Sequence, residues 1–172
     1  MGRASVKENK TVYQLAREAC GLTRAEASEK MEWVSESRIE KIELEKSVAA
    51  PEEVLAMSKA YRRLDLCNHY CSHDCPIGRK YVPEIHDKPI EKTVLEMLAT
   101  LNRLEKQKDR LIEITSDGTI HDDEIRDFLA IRAQLARMRS MVDSLQLWFD
   151  NTVEFGRINM DILRKEESQT GE

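Results

Sequence analysis

The chain has 172 residues, of which 41% are apolar and 34% charged, with only six Gly and four Pro. Many charges and few helix breakers favour a helical protein with long solvated faces. The net charge of −5 argues against a chain that binds nucleic acid through its overall charge. No apolar run approaches the roughly 20 residues of a membrane span, and the N-terminus lacks an apolar leader. We therefore expect a cytoplasmic protein with reduced thiols.

Residues 7–64 predict four short helices joined by tight turns. Thr23 is placed as the N-cap of the second helix, with Glu26 as its capping-box partner. Ser35 is placed to cap the third helix, and Pro51 fits the first position of the fourth. The inward stripe expected on the first helix consists of Val12, Leu15, Ala16 and Ala19.

The second and third helices have the layout of a helix-turn-helix, in which one helix holds the next at the angle needed to enter a major groove. The segments LAREACGLTRAEASEKMEWVSESRIEKIELEK and APEEVLAMSKAYR resemble the helix-turn-helix of the XRE (lambda-repressor-like) regulators. The resemblance implies a five-helix DNA-binding domain at residues 1–66, with the helix at 35–44 in the groove of double-stranded DNA and a role in transcription regulation.

A second resemblance extends along nearly the whole chain. The segments LCNHYCSHDCPIGRKYVPEI, LIEITSDGTIHDDEIRDF and SLQLW resemble a group of XRE-like proteins of Firmicutes and their mobile elements. This resemblance supports a two-part layout and implies no ligands and no target sequence.

The XRE resemblance also implies the residues that contact DNA. Thr23 and Arg24 would meet phosphate at the start of the second helix, and Glu43 matches the family's acidic residue near the end of the third. Two positions depart from the family's pattern, because Arg24 stands where Gln is common and Glu45 where the Gly of a tight turn is usual. The residues on or near the groove-facing side of the third helix would be Ser35, Glu36, Ser37, Arg38, Glu40 and Lys41.

The charge of this domain leaves a rival interpretation open. Residues 1–65 hold twelve Lys and Arg against twelve Asp and Glu. Non-specific affinity for DNA comes largely from neutralised phosphates, so we expect weak binding unless the chain dimerises. Glu36 and Glu40 face phosphate repulsion, although Glu36 could accept a hydrogen bond from cytosine N4. The rival is a helix-turn-helix shell whose acidic third helix binds another protein, such as an antirepressor or a phage-defence partner, instead of DNA.

The segment CNHYCSHDCPIG carries three of the four cysteines at a spacing of four. Cys67 and Cys71 would share one helical face, with Cys75 on the turn beyond. With His73 as fourth ligand, these thiols predict a zinc site. His69 is the less favoured ligand, because a residue two positions from both Cys67 and Cys71 projects off their shared face. An iron–sulfur cluster is a further alternative, ranked behind zinc, and reduced, partly buried thiols without a ligand are equally compatible with the pattern.

Beyond a cysteine-rich connector at residues 67–89, apolar residues recur in alternating steps of three and four, the period of helices that pack lengthwise. This period predicts a coiled-coil-like helical hairpin at 90–164, which forms a homodimer or contacts another protein, and a disordered tail at 165–172. The chain as a whole is predicted to be all-α. The first seam consists of Val94, Met97, Leu101, Leu104, Lys108 and Leu111, and the second of Phe128, Ile131, Leu135, Met138, Val142, Leu145 and Phe149.

No pattern in the sequence is typical of catalysis. There is no Gly-rich phosphate loop, no nucleophile elbow and no motif of paired carboxylates. The four histidines lie in polar segments. We therefore expect the chain not to be an enzyme.

Overall fold

The computed structural model describes residues 10–85, 89–156 and 158–170. Within those ranges every regular element is a helix, which confirms the predicted all-α class. The described residues form two compact units, one of residues 10–84 with 150–170 and the other of residues 85–149. The helices are α1 (Val12–Ala19), α2 (Arg24–Met31), α3 (Glu36–Glu43), α4 (Pro51–Ala60), α5 (Asp65–His73), α6 (Gly78–Tyr81), α7 (Ile90–Lys106), α8 (Lys108–Thr115), α9 (Ile125–Glu154) and α10 (Met160–Thr170).

The caps predicted from the sequence begin the N-terminal helices. The Thr23 hydroxyl accepts from the Glu26 amide at 3.2 Å, and the Glu26 carboxylate accepts from the Thr23 amide at 2.7 Å, which completes the capping box of α2. The Ser35 hydroxyl accepts from the Arg38 amide at 3.2 Å at the start of α3. Pro51 is the first residue of α4. These caps satisfy amides that have no partner inside the helix.

One apolar core unites helices α1 to α5, of which α5 lies mostly beyond residue 66, where the predicted domain ends. Ile39 is fully buried in it and Ile42 nearly so. Burial of such side chains is the main favourable contribution to the packing of short helices. The core residues are Tyr13, Ala16, Ala27, Met31, Val34, Ile39, Ile42, Ala49, Val54, Met57, Tyr61 and Leu66.

The inward face of α1 differs from the expected stripe. Ala16 is buried as expected, whereas Leu15 is exposed and Tyr13 and Arg17 are buried. Gln14 is buried as well. Burial of the charged Arg17 is tolerated because the carboxylate of Glu43 pairs with its guanidinium. Arg17 is therefore buried on the inward face of α1, where the apolar spacing predicted Leu15.

The first part of the cysteine-rich segment is helical, and α5 carries both Cys67 and Cys71. Leu66 on α5 is fully buried, and Cys67 and Tyr70 pack against the N-terminal core. Gly78 allows α6 to approach α5 closely, because a Cβ at this position would lie 2.6 Å from the carbonyl carbon of Cys71. The segment predicted as a connector therefore includes helices that pack closely.

The second unit contains α7, α8 and most of α9, so a C-terminal helical region is present. Gln107 separates α7 from α8 with φ −106° and ψ 4°. The turn over residues 116–124 then leads to α9, and the Glu124 carboxylate accepts from the His121 amide at 3.1 Å. The residues of this unit that are most deeply buried are Thr93, Thr100, Ile114 and Ile131.

The C-terminus also differs from the prediction. Residues 165–170, which were expected in a disordered tail, belong to α10, and residues 171–172 lie outside the described ranges. The Asn159 side chain accepts from the amides of Asp161 and Ile162 at 3.1 and 3.2 Å and so caps this helix. None of the helices in the described ranges has the length and hydropathy that crossing a bilayer requires.

Candidate nucleic-acid interface

A buried carboxylate ties the first three helices together. Glu43 on α3 is fully buried and accepts from Arg17 Nε at 2.6 Å and Arg17 Nη2 at 2.9 Å. Arg24 Nε on α2 donates to the same carboxylate at 2.8 Å. Burial acts to lower the pKa of Arg17, but the hydrogen bond and charge of Glu43 outweigh it and the pKa is raised. The angle between α2 and α3 is thus set by charge-assisted hydrogen bonds as well as by apolar packing.

A second arginine of the predicted interface is held inside the domain. Arg38 donates from Nε and Nη2 to the two oxygens of Glu53 at 2.6 and 2.7 Å. Its Nη1 contacts the Ser47 hydroxyl, and Nη2 also donates to the Val48 carbonyl at 2.9 Å. The hydrogen bond from Arg38 is the largest cause that lowers the pKa of Glu53. Every guanidinium nitrogen of Arg38 therefore has a partner in α4 or in the segment before it.

The other predicted contact residues differ in how far they are engaged. Thr23 is occupied by the capping box. Arg24 uses Nε for Glu43, while its Nη1 lies 3.9 Å from Glu40 and its side chain is 27% exposed. The residues with exposed side chains at the start of α3 and along its outer face are Ser35, Glu36, Ser37, Glu40 and Lys41.

The outer surface of α3 is more acidic than that of a typical DNA-binding helix. Glu36 and Glu40 are exposed beside Lys41, whereas Arg38 is neutralised by Glu53. The turn before the helix presents Trp33 with 60% of its side chain exposed. Sequence reasoning did not single out Trp33, although a large aromatic residue between two short helices was a visible signal.

The structure places the three clustered thiols on α5 and just beyond it. Cys67 and Cys71 lie on the helix, Cys75 lies two residues past its end, and all three are partly buried. Burial raises the pKa of the Cys71 thiol, and the nearby Cys75 and Cys67 raise it further. Cys75 Sγ accepts from the Gly78 amide at 3.4 Å. The zinc site at these thiols and His73 stays a prediction.

His73 lies in a different group of potential ligands. One nitrogen each of His69 and His73 and one oxygen of Glu84 lie within 4.8 Å of one another. The three thiols do not form such a group in the described part of the chain. His73, which the sequence predicted as a zinc ligand beside the thiols, thus lies close to the His69 imidazole and the Glu84 carboxylate.

No curated protein and no solved structure matches the chain. Residues 14–66, about a third of the chain, match the model of a family described as helix-turn-helix. The match begins inside α1 and ends inside α5, so the resemblance of the later segments to a Firmicutes group stays a prediction. The family is one of DNA-binding regulators and is not normally enzymatic. Residues 14–66 are therefore similar to a helix-turn-helix domain, a similarity that supports a DNA-binding regulator.

Proposed function

We propose that the chain regulates transcription by inserting the N-terminal half of α3 into the major groove of duplex DNA. The observation that carries the proposal is the Glu43 clamp, which holds α3 against α1 and α2 through Arg17 and Arg24. A recognition helix must be held in this way for its first residues to reach base edges. The exposed side chains at that end are Ser35, Glu36 and Ser37.

The exposed side chains of α2 and α3 have the chemistry to contact bases or phosphates. The Ser37 hydroxyl can donate to or accept from a base edge, and Glu36 can accept from cytosine N4. Lys41 and the terminal nitrogens of Arg24 are the cations available for phosphate, which fixes register rather than sequence. Arg38 positions α3 by its bond to Glu53, because contact with DNA would leave that buried carboxylate without its partner.

We further propose that a second copy of the chain covers one face of α9. Phe128, Leu135, Val142 and Phe149 follow one another at intervals of seven residues and are between 37% and 49% exposed. A heptad interval brings these side chains onto one seam of a helix that pairs lengthwise with another. Dimerisation would double the phosphate contacts of a domain with little net positive charge, and a two-fold dimer reads a palindromic site.

Selection of bound sequences from random duplexes tests the DNA proposal and its symmetry together. We expect a palindromic site with two half-sites. Lys41→Ala should weaken binding to all sequences and reduce the slope of log affinity against log salt by about 1. Lys59→Ala, which removes an exposed lysine from α4, is the matched control and should leave the slope unchanged. The proposal fails if the protein is not retained on mixed duplex DNA at low salt.

Sedimentation velocity tests the dimer. Leu135→Glu places a charge on the heptad seam and should give a monomer at concentrations at which the unmodified protein is a dimer. Leu129→Glu is the control, because Leu129 is 51% exposed on the same helix but lies off the seam. Equal sedimentation coefficients for the unmodified chain and both variants would contradict the proposed interface.

A protein-binding role is the second candidate, and the surface of α3 favours it. Exposed Glu36 and Glu40 repel phosphate, and exposed Trp33 is the kind of residue that anchors protein interfaces. On this alternative the helix-turn-helix binds an antirepressor or a phage-defence protein. Absence of DNA binding at low salt, with a folded and dimeric chain, would favour this alternative over the first proposal.

A further inference from the structure

Two histidines are stacked on one face of α5, with His69 partly buried beside Tyr13 and His73 exposed. His69 and His73 lie one helical turn apart, their ring centroids are 4.2 Å apart, and the rings are inclined by 19°. Residues four apart on a helix project from the same face. Glu84 completes the group, with its Oε1 at 3.6 Å from His73 Nε2.

The surroundings of His73 determine which ring nitrogen is available. Its Nδ1 lies 3.1 Å from the carbonyl oxygen of His69 and 2.9 Å from the Ser72 hydroxyl. A carbonyl oxygen only accepts, so in the neutral imidazole Nδ1 carries the proton and the lone pair is on Nε2, on the side of Glu84. A second hydrogen bond of this kind fixes the tautomer and orientation of histidines that bind metals.

The position of Glu84 is fixed from the same helix. Asn68 Nδ2 on α5 donates to the carbonyl oxygen of Pro83 at 2.9 Å. This bond holds the backbone that precedes Glu84 against the turn of α5 that carries His69. The backbone next to Glu84 is therefore brought near both imidazoles by a contact that involves none of the three side chains.

We propose that His69, His73 and Glu84 bind one divalent transition-metal cation, with Zn²⁺ the best match. Zinc takes imidazole nitrogen at about 2.0–2.1 Å and carboxylate oxygen at about 2.0–2.2 Å, so ligand atoms of a tetrahedral site lie roughly 3.3–3.5 Å apart. The three atoms already lie within 4.8 Å of one another, and the two stacked rings must turn out of their parallel arrangement for both nitrogen lone pairs to point at one cation. Two imidazoles favour zinc, nickel or copper over calcium or magnesium, which prefer oxygen ligands.

This site differs from the zinc site predicted at the thiols. It uses no sulfur, and it needs His73 to face Glu84 rather than Cys75. The two sites share one imidazole, so they exclude each other in a single chain. A cation here would join α5 to the segment that ends at Glu84, where the first stretch of the N-terminal unit also ends.

The test is calorimetric titration of the full chain with Zn²⁺ after treatment with a chelator. We expect one cation per chain, and His73→Gln, His69→Gln and Glu84→Gln should each weaken binding at least about tenfold, since loss of even an outer partner costs about 10–100-fold. The matched controls are His121→Gln and Glu29→Gln, which alter exposed residues outside the site. The triple variant Cys67→Ser, Cys71→Ser, Cys75→Ser should bind as tightly as the unmodified chain.

Cobalt substitution separates the two candidate sites by their ligands. Co²⁺ bound by His69, His73 and Glu84 should show weak visible bands and no intense thiolate-to-metal band in the near ultraviolet. His73 and Glu84 have side chains 42% and 46% exposed, so their variants should keep the helical circular dichroism of the parent. Absence of binding, binding unchanged by the His69 and Glu84 substitutions, or an intense thiolate band lost in the triple cysteine variant would each overturn the proposal. None of these outcomes depends on DNA binding.

Discussion

Removal of the Glu43 carboxylate should destabilise the helix-turn-helix domain more than loss of any exposed ion pair. In Glu43→Ala the Arg17 guanidinium, whose side chain is 8% exposed, loses its two hydrogen bonds to Glu43 while it stays charged. It keeps the bond from Nη1 to the Leu22 carbonyl at 2.6 Å. Hydrogen bonds to charged groups contribute about 1.5–3 kcal/mol each, and breaking a buried pair costs about 3–5 kcal/mol. Arg24 is 27% exposed and water can solvate it instead, so its lost bond to Glu43 adds little to the destabilisation. A loss of about 3–5 kcal/mol is a large part of the roughly 5–15 kcal/mol that stabilises a typical domain.

Urea unfolding, with hydrogen exchange of the amides of α1 to α3, measures this loss. Arg17→Met with Glu43→Leu should recover most of it, because apolar pairs of similar volume replace buried ion pairs with little cost. Glu113→Ala is the control, since it breaks the exposed pair with Arg110 and should cost less than about 1 kcal/mol. A loss below about 1 kcal/mol for Glu43→Ala would refute the idea that this carboxylate holds the three helices together.

Two further predictions concern α6 and the turn before α9. Gly78→Ala should lower the free energy of unfolding in urea by about 1–3 kcal/mol or more, because the new Cβ overlaps the backbone of Cys71. An unchanged free energy of unfolding would mean that α6 can shift. In the turn, the Asp117 hydrogen bond raises the pKa of His121 above its ordinary 6.5, so this stabilisation is complete below pH 6.5 and is lost as the pH rises through the folded-state pKa. The Thr119 amide and then His121 lower the pKa of Asp117 below its ordinary 3.8, so its stabilisation is present above pH 3.8 and is lost as the pH falls through the folded-state pKa. A proton NMR titration should give His121 a pKa above 6.5 that falls in Asp117→Asn, and an identical pKa in the two proteins would contradict the assignment.

The features that the sequence predicted correctly in the N-terminal domain are local. The capping box of Thr23 and Glu26 joins residues three apart, and so does the cap that the Ser35 hydroxyl forms with the Arg38 amide. By contrast, the bond from Arg17 to Glu43 spans 26 residues and that from Arg38 to Glu53 spans 15. An isolated charged residue on a short helix is normally solvated, so only the tertiary structure reveals that these arginines are engaged inside the domain.

Tertiary contacts that the sequence does not reveal also determine the structure of the segment from α5 to Glu84. Residues 67–89 were predicted as a cysteine-rich connector, and within them α6 packs closely against α5 at Gly78. Leu66 is the single large aliphatic side chain that anchors α5 in the core, too weak a pattern to predict a helix by periodicity. The approach of Glu84 to His69 depends on a side-chain bond to the Pro83 carbonyl, which no spacing in the sequence encodes.

Glu45, just beyond the end of α3, stands where a glycine is usual in the XRE regulators that the sequence resembles. Glu45 has φ 57°, and the bonds from its amide to the Ile42 carbonyl and from the Lys46 amide to the Lys41 carbonyl form the helix-ending arrangement that favours glycine. The left-handed conformation costs a residue with a Cβ about 1–2 kcal/mol, whereas glycine loses about 0.5–1 kcal/mol more entropy on folding. Glu45→Gly should therefore stabilise the domain by up to about 1 kcal/mol in urea unfolding. Glu45→Ala removes the carboxylate but keeps the Cβ, so it should give no comparable gain; an equal gain in both variants would assign the effect to the charge of Glu45 instead of its backbone.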